Sequence, residues 1–118
     1  MSKVVKLKNL DAIYTTSYHN ATVTASMKEL EEKFGVKARR CVGDSKTHYE
    51  MFLVVDGTVA TIYDWKEDGP VTKDTVLEYH IGTETDGGSK KVADIFKNEY
   101  GLNASFLTYE ELRKKWGY

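Results

Sequence analysis

The sequence predicts an α+β fold in which a small antiparallel sheet, with a β-hairpin at its centre, packs with two or three helices. The hairpin is indicated by Asp56-Gly57 between residues 46–55 and 58–65, because a type I′ turn requires positive φ at both central residues. The first helix is indicated by Ser26 and Glu29, which have the spacing of a capping box. Strands and helices follow one another in blocks, and this order favours an α+β arrangement over alternating parallel units.

Composition places the chain among ordinary globular domains. Its 118 residues match a single domain, residues 1–118, and a chain with 41% hydrophobic residues is too apolar to be disordered. The one cysteine, Cys41, excludes an intrachain disulfide and a cysteine zinc cluster. The first residues lack the apolar stretch of a signal peptide, and no apolar run has the length of a membrane span. We therefore expect a cytoplasmic protein with no membrane partner.

Charge is distributed unevenly along the chain. Residues 1–48 carry nine basic and five acidic side chains, residues 49–86 carry two and nine, and residues 87–118 carry six and four. The acidic middle argues against an extended nucleic-acid partner, because such binding scales with the phosphates that clustered cations neutralise. Binding of a small anion by one or two basic residues stays an open alternative. The plainer alternative is that the charged segments form solvated faces.

The two-residue period of the hairpin strands predicts which side chains share a face. One face pairs Val55 with Thr58, Leu53 with Ala60, Met51 with Ile62 and Tyr49 with Asp64; the other pairs Val54 with Val59, Phe52 with Thr61, Glu50 with Tyr63 and His48 with Trp65. In this register the side chain of Asp64 points away from His48.

The other elements follow from composition and capping signals. Residues 4–7 and 12–23 are predicted to be extended, with a turn near His19-Asn20, and residues 76–81 to form a further strand. Helices are predicted from Ser26 to a stop at Gly35, from about Lys90 to Tyr100 with a stop at Gly101, and from Thr108, capped with Glu111, to about Trp116.

The more polar face of the sheet is the first candidate site. If the third strand turns its Glu78 and His80 side to this face, it would combine accessible rings with hydrogen-bonding groups from His48, Tyr63, Trp65 with the neighbouring Lys66, and His80. Such a surface suits stacking and edge recognition of a planar ligand such as a nucleobase. The alternative is that a helix or a second copy of the chain covers this face.

Basic residues and a glycine loop form the second candidate. The segment Gly82 to Lys91 combines a strand, a loop and a helix start, so the amides of residues 89–91, with Ser89 and Lys90, could contact an anion. It is not a Walker A loop, because Gly88 stands where the lysine is required. Arg39 and Arg40 form a small basic patch that suits phosphate or a solvated strand edge.

Catalytic and metal chemistry receive little support from sequence. His48, Asp64 and His80 lie on different strands without a metal-binding motif, so we expect no metal and no cofactor. Arg39 and Arg40 could lower the pKa of Cys41, but no partner histidine is identifiable. No catalytic residue is therefore predicted.

The stretch Phe52 to Glu67, which reads FLVVDGTVATIYDWKE, and the later His80-Ile81-Gly82 are similar to a group of small, uncharacterised proteins of tailed bacteriophages and their prophages. The shared pattern is DG…TIYDWKE…HIG, preceded by a helix that ends in Phe-Gly, here Glu29 to Gly35. The resemblance covers roughly residues 22–100. It implies an accessory role in the host cytoplasm, such as sequestering a nucleotide signal of host immunity or occupying a host protein.

We therefore expect a non-enzymatic protein that binds a small nucleotide-like ligand and forms a homo-oligomer. One alternative is an inhibitor of a host protein that uses the acidic 64–86 segment as its docking patch. A further alternative is a small hydrolase or nuclease that acts through His48, His80 and nearby carboxylates.

Overall fold

The computed structural model describes residues 3–41, 47–65, 67 and 69–116. In chain order the elements are strand β1 (Val4–Lys6), a 3-10 helix (Leu10–Thr15), β2 (Ser17–Ser26), helix α1 (Met27–Phe34), β3 (Arg39–Arg40), β4 (Tyr49–Val55), β5 (Thr58–Tyr63), β6 (Val76–Thr83), α2 (Asp86–Tyr100), β7 (Asn103–Phe106) and α3 (Tyr109–Trp116).

The strands of the described residues form one antiparallel sheet. Its order is β1-β4-β5-β6-β2-β7, and β3 also pairs with β4. Every pairing is antiparallel, so the predicted α+β class is confirmed. The sheet reaches seven strands because β1 and β3 pair with β4 on one side of the predicted hairpin, and β2 and β7 follow β6 on the other.

The central hairpin has the predicted turn and register. Asp56 has a φ of 47° and Gly57 a φ of 83°, the backbone that a type I′ turn requires. Val55 pairs with Thr58, and the ladder continues to Glu50 opposite Tyr63. The strands end there, at Tyr49 and Tyr63, so β5 is two residues shorter than predicted.

Helix α1 begins and ends where its capping signals indicate. The Ser26 hydroxyl accepts a hydrogen bond from the Glu29 N–H at 3.1 Å, and Gly35 ends the helix with a φ of 68°. Met27, Leu30 and Phe34 are buried, so the apolar stripe of this helix faces the core.

The segment predicted to be extended from residue 12 is partly a 3-10 helix. Asn9 caps it, because its side-chain oxygen accepts a hydrogen bond from the Asp11 N–H at 3.1 Å. The Thr16 hydroxyl closes the other end by donating to the Ile13 carbonyl at 2.7 Å. Local side-chain hydrogen bonds of this kind compete with strand formation, which the β-branched composition had favoured.

The predicted turn near His19-Asn20 is a β-bulge inside one continuous strand. The β2–β6 register shifts between Tyr18 and Ala21, and Asn20 has a φ of 67°. A bulge inserts an extra residue into one strand and redirects its side chains. Strand β2 therefore continues through the segment that polarity alone indicated as a turn.

Helix α2 begins four residues earlier than predicted. Thr85 is its N-cap and accepts a hydrogen bond from the Gly88 N–H at 2.9 Å, so Ser89 lies inside the helix and does not cap it. The predicted stop at Gly101 is confirmed by its φ of 66°. The reciprocal hydrogen bonds between Thr108 and Glu111 at the start of α3 confirm the second capping box.

The two faces of the sheet have different surroundings. Helices α1 and α2 contribute Leu30 and Phe96 to a core that includes Met51, Ile62 and Ile81 from the sheet. The opposite face, called the open face below, carries the predicted polar and aromatic residues, and the 3-10 helix contacts it at β5. Across the described ranges, no helix has the length and apolar character that crossing a membrane requires.

Candidate ligand site on the open face of the sheet

A row of side chains crosses the open face in register. Arg39 pairs with Glu50, Glu50 with Tyr63, Tyr63 with His80, and His80 with Thr22. Since paired residues of antiparallel strands project to the same side, these five side chains share one face. The pairing of Glu50 with Tyr63 on the polar face is therefore confirmed, whereas the predicted pair of His48 with Trp65 lies beyond the end of the ladder.

Aromatic contacts connect this row. The Tyr18 ring stacks on His80 with centroids 4.0 Å apart and an interplanar angle of 17°. Tyr63 meets His80 edge to face at 5.5 Å and Trp65 edge to face at 6.4 Å. Trp65 remains 45% exposed, so one face of this cluster is accessible. Offset and edge-to-face pairs of this kind hold rings in fixed orientations.

Burial keeps the ring of His80 neutral near pH 7. Desolvation lowers the pKa of His80 from its ordinary 6.5, although the negative charges of Glu78 and Glu67 oppose the shift. Burial likewise raises the pKa of the Tyr63 phenol. The cluster therefore presents neutral rings and hydrogen-bonding groups, which suit an uncharged planar partner.

Gly82 is required by the close approach of two strands. A Cβ added at this residue would lie 2.5 Å from the Thr61 hydroxyl oxygen and 3.4 Å from the Ser17 carbonyl. The absent side chain leaves space for Thr61, whose hydroxyl lies 3.4 Å from that of Thr16 at the end of the 3-10 helix. This contact positions the helix beside the aromatic cluster.

A groove of about 310 Å³, called the aromatic groove, separates the 3-10 helix from the end of the hairpin. Its lining residues are Ile13, Tyr14 and Thr16 from the helix side and Thr47, Glu50, Phe52, Thr61, Tyr63 and Trp65 from the sheet side. Tyr14 is 84% exposed, so this groove has accessible rings on both sides.

A second groove of about 380 Å³, called the basic groove, lies beside the aromatic groove. Its lining residues are Lys6, Leu10, Val36, Lys37, Ala38, Arg39, Glu50 and Phe52. Glu50 and Phe52 line both grooves, so the two grooves adjoin. Lys6, Lys37 and Arg39 are exposed, and the Arg39 guanidinium lies 3.3 Å from the Glu50 carboxylate.

The side chains of His48 and Asp64 form a hydrogen-bonded pair, although the predicted register points them apart. The Asp64 carboxylate, 0% exposed, accepts hydrogen bonds from the backbone N–H groups of His48 and Tyr49 at 2.7 and 2.9 Å, and from the His48 ring Nδ1 at 2.7 Å. The expectation that Asp64 points away from His48 is wrong, because β5 ends at Tyr63 and strand alternation ends with it. His48 is therefore anchored to the hairpin end and does not line either groove.

The remaining predicted site residues do not all lie at the two grooves. Ser89 is fully buried, with its hydroxyl 2.7 Å from that of Thr83 and its N–H bonded to the Thr85 carbonyl, so the expected anion contact at Ser89 is wrong. Lys90 pairs with Asp94 at 2.8 Å on α2, away from the open face. Arg40 donates to the Tyr49 hydroxyl at 2.9 Å. Lys66 lies outside the described residues.

The structure also bears on Cys41. Burial raises the pKa of the Cys41 thiol and outweighs both the Thr47 hydroxyl, which donates to Sγ at 3.2 Å, and the charge of Arg39, each of which lowers it. In the part of the chain that the structure describes, no three histidine, cysteine or carboxylate side chains come together as a metal site.

The acidic segment 64–86 does not present all its described carboxylates on one surface. Asp64 is buried against His48, whereas Glu78 projects from β6 beside Tyr18 and His80. Asp86 lies at the start of α2, 2.8 Å from His19. These carboxylates have different partners and different exposure, which weakens the prediction of a single acidic docking patch.

Sequence reasoning missed the groove residues of the 3-10 helix. The composition of residues 12–23 predicts an extended segment through Ile13 and Tyr14, and no local signal pairs Tyr18 with His80. The detectable signal was Asn9 followed by Asp11, an asparagine cap with an acidic residue in the first turn. The proximity of this helix to Trp65 depends on tertiary packing.

No protein-family model, curated protein or solved structure matches this chain.

Proposed function

We propose that this chain binds a small nucleotide-like ligand, without converting it, in the two adjoining grooves. The observation that carries this proposal is that an aromatic groove and a basic groove share Phe52 and Glu50. A nucleotide has the same two parts, a planar base and a charged phosphate, joined by a short sugar. The base lies in the aromatic groove and the phosphate in the basic groove.

The aromatic groove suits a base because Tyr14 and Trp65 are both accessible there. Stacking of a base on an aromatic side chain contributes about 1–3 kcal/mol. Thr47 and Glu50 supply hydroxyl and carboxylate groups that can read the edge of the base. Glu50 favours an exocyclic amino group, since a carboxylate only accepts hydrogen bonds.

The basic groove suits a phosphate because three cationic side chains line it. In the free protein the Arg39 guanidinium lies 3.3 Å from the Glu50 carboxylate. A bound phosphate replaces this carboxylate as the partner of Arg39. Lys6 and Lys37 are exposed, so their contribution is screened by salt. Binding therefore weakens as ionic strength rises.

The biological setting that we propose follows from the resemblance to proteins of tailed phages. A small protein that sequesters a nucleotide signal of host immunity, in the host cytoplasm, needs affinity and no turnover. The accessible rings of the open face also suit self-association, and we propose a homo-oligomer for this reason. Sedimentation at micromolar concentration that shows only monomer would remove the oligomer from the proposal.

The binding test is titration calorimetry with a panel of mononucleotides, cyclic dinucleotides and ADP-ribose isomers, preceded by a thermal-shift screen. Ligand binding to the native state raises the melting temperature. The double variant Tyr14→Ala with Trp65→Ala is expected to weaken binding by at least about tenfold, given the stacking energy of two rings. Tyr109→Ala is the matched control, because Tyr109 is 75% exposed on α3 and lines neither groove.

The phosphate half is tested with Lys37→Ala and Arg39→Ala, which are expected to weaken binding and to reduce its salt dependence. Lys90→Ala, which removes a cation outside the grooves, is the control and is expected to change neither the affinity nor its salt dependence. If no compound stabilises the protein, or if folded groove variants bind as tightly as the controls, the proposal is wrong. Product formation during the titration would instead favour an enzyme.

A further inference from the structure

Three side chains outside both grooves form a continuous hydrogen-bond chain. The Ser17 Oγ lies 3.1 Å from His19 Nε2, and His19 Nδ1 lies 2.8 Å from the Asp86 carboxylate. A carboxylate accepts hydrogen bonds, so Nδ1 carries the ring proton and Nε2 is left as the acceptor for the serine hydroxyl. This is the connectivity of a nucleophile, its base and the group that orients the base.

The bulge in β2 builds this arrangement. Ser17 and His19 are two residues apart on one strand, so their side chains lie on the same side of it. The register shift between Tyr18 and Ala21, with Asn20 at a φ of 67°, interrupts the pairing of this part of the strand, where His19 contacts Asp86 at the start of α2. A non-glycine residue with positive φ is uncommon and is worth examining for function.

Helix α2 supplies the third member. Asp86 is its first residue, where the positive end of the helix dipole stabilises a carboxylate. The carboxylate is 80% exposed, and the Ser17 side chain is exposed as well. The nucleophile is therefore accessible to a reagent from solution.

We infer that Ser17 is a reactive nucleophile that accepts an acyl group from small activated esters, with His19 as its general base and Asp86 as a positioning residue. Ser17 Oγ attacks the acyl carbon while its proton passes to His19 Nε2. The ester C–O bond then breaks and its electron pair stays on the leaving oxygen. An alcohol leaves with the proton that it takes from His19 Nε2, whereas a phenolate leaves unprotonated and His19 returns the proton to solvent. Water, deprotonated by His19, hydrolyses the acyl-serine and regenerates the hydroxyl.

The exposure of Ser17 and Asp86, with His19 partly buried between them, determines the kind of substrate. Water competes for each hydrogen bond at the surface, so the serine is expected to be much less reactive than one in an enclosed active site. An ester with a good leaving group and a small acyl part, such as an aryl acetate, is the class that fits. The reaction does not depend on the ligand grooves. Tyr18, which lies between Ser17 and His19 in the strand, projects to the open face and stacks on His80, so its two neighbours project to the other side.

The test is acylation of the whole protein by 4-nitrophenyl acetate, with phenolate release measured by absorbance and the modified residue located by peptide mass spectrometry. A fluorophosphonate serves as a second probe, since Ser17 Oγ displaces fluoride from phosphorus with the same proton transfer. Labelling at Ser17 is expected to fall by about 100-fold in His19→Asn, the usual contribution of a general base. Ser17→Ala removes the label, and Ser105→Ala, at an exposed serine of β7, is the matched control.

The role of Asp86 is tested by a measurement other than the rate of Ser17 labelling. Asp86→Asn is expected to slow labelling by about tenfold, less than for a buried acid because the pair is exposed. The nitrogen chemical shifts of the His19 ring are expected to report the Nδ1-protonated form in the native protein and a shift toward the other tautomer in this variant. A variant that only disturbed the fold would change the melting temperature and not the ring tautomer.

Three results would overturn the inference. The first is a folded native protein that carries no label at Ser17 with either probe. The second is a label confined to lysines. The third is an equal rate of Ser17 labelling in the native protein and in folded His19→Asn.

Discussion

Two histidine–aspartate pairs in this protein have the same contact distance and opposite surroundings. His48 and Asp64 lie 2.7 Å apart with a fully buried carboxylate, whereas His19 and Asp86 lie 2.8 Å apart with an exposed one. The Asp64 carboxylate also accepts two backbone N–H groups at the end of the hairpin. The Asp86 pair instead leaves Nε2 of its histidine directed at a serine.

The difference shows that distance alone does not assign a role to a pair. A buried carboxylate must keep all of its hydrogen bonds, because each one replaces lost solvation. An exposed carboxylate can exchange its partner for water at little cost. The first pair therefore stabilises the fold, and the second is free to take part in chemistry.

The largest expected effect is that of Asp64→Ala. This change leaves the His48 and Tyr49 N–H groups and the His48 ring without their acceptor, so we expect the free energy of unfolding to fall by about 3 kcal/mol. Urea denaturation followed by circular dichroism measures the change. A loss below about 1 kcal/mol would show that water replaces this carboxylate and that the buried pair is not structural.

The next effect is the coupling energy within each pair, from double-mutant cycles that use His48→Ala with Asp64→Ala and His19→Ala with Asp86→Ala. We expect about 2 kcal/mol for the buried pair and about 0.5 kcal/mol for the exposed one. The exposed coupling is also expected to shrink in 1 M salt, where screening is strong. Equal couplings in the two cycles would contradict the distinction drawn from burial.

The smallest expected effect is that of Asp86→Asn on stability. The side chain is exposed and its removal leaves no buried group unsatisfied, so we expect a change of less than about 0.5 kcal/mol. Urea denaturation again gives the value. A loss as large as that of Asp64→Ala would mean that the His19–Asp86 contact holds β2 to α2 and would favour a structural role for it.

Local signals were reliable where neighbouring residues decide the backbone. The Asp56-Gly57 turn and its register, the Ser26 cap and the Gly35 stop were each predicted, because the required φ values and hydrogen bonds involve residues close in sequence. The register then placed Glu50 and Tyr63 on one face, and the β5–β6 pairing of the structure adds His80 to it. These residues are the part of the candidate ligand site that sequence reasoning found.

Prediction failed where residues far apart in sequence meet. The strand β7 carries no strong local signal and exists through its pairing with β2. The composition around Tyr14 predicts a strand, whereas Asn9 caps a 3-10 helix there. Ser89 was expected to face a ligand, but the earlier start of α2 turns it into the core beside Thr83.

Taken by itself, the sequence determined the hairpin, the caps of α1 and α3, the α+β class and the polar face of the central strands. These features depend on backbone conformations and alternation periods that a few adjacent residues decide. Only the tertiary structure decided that the 3-10 helix borders the aromatic groove, that Arg39 and Lys37 adjoin it, and that Asp86 reaches His19. Such contacts join residues up to 67 positions apart, and the packing of whole elements brings them together.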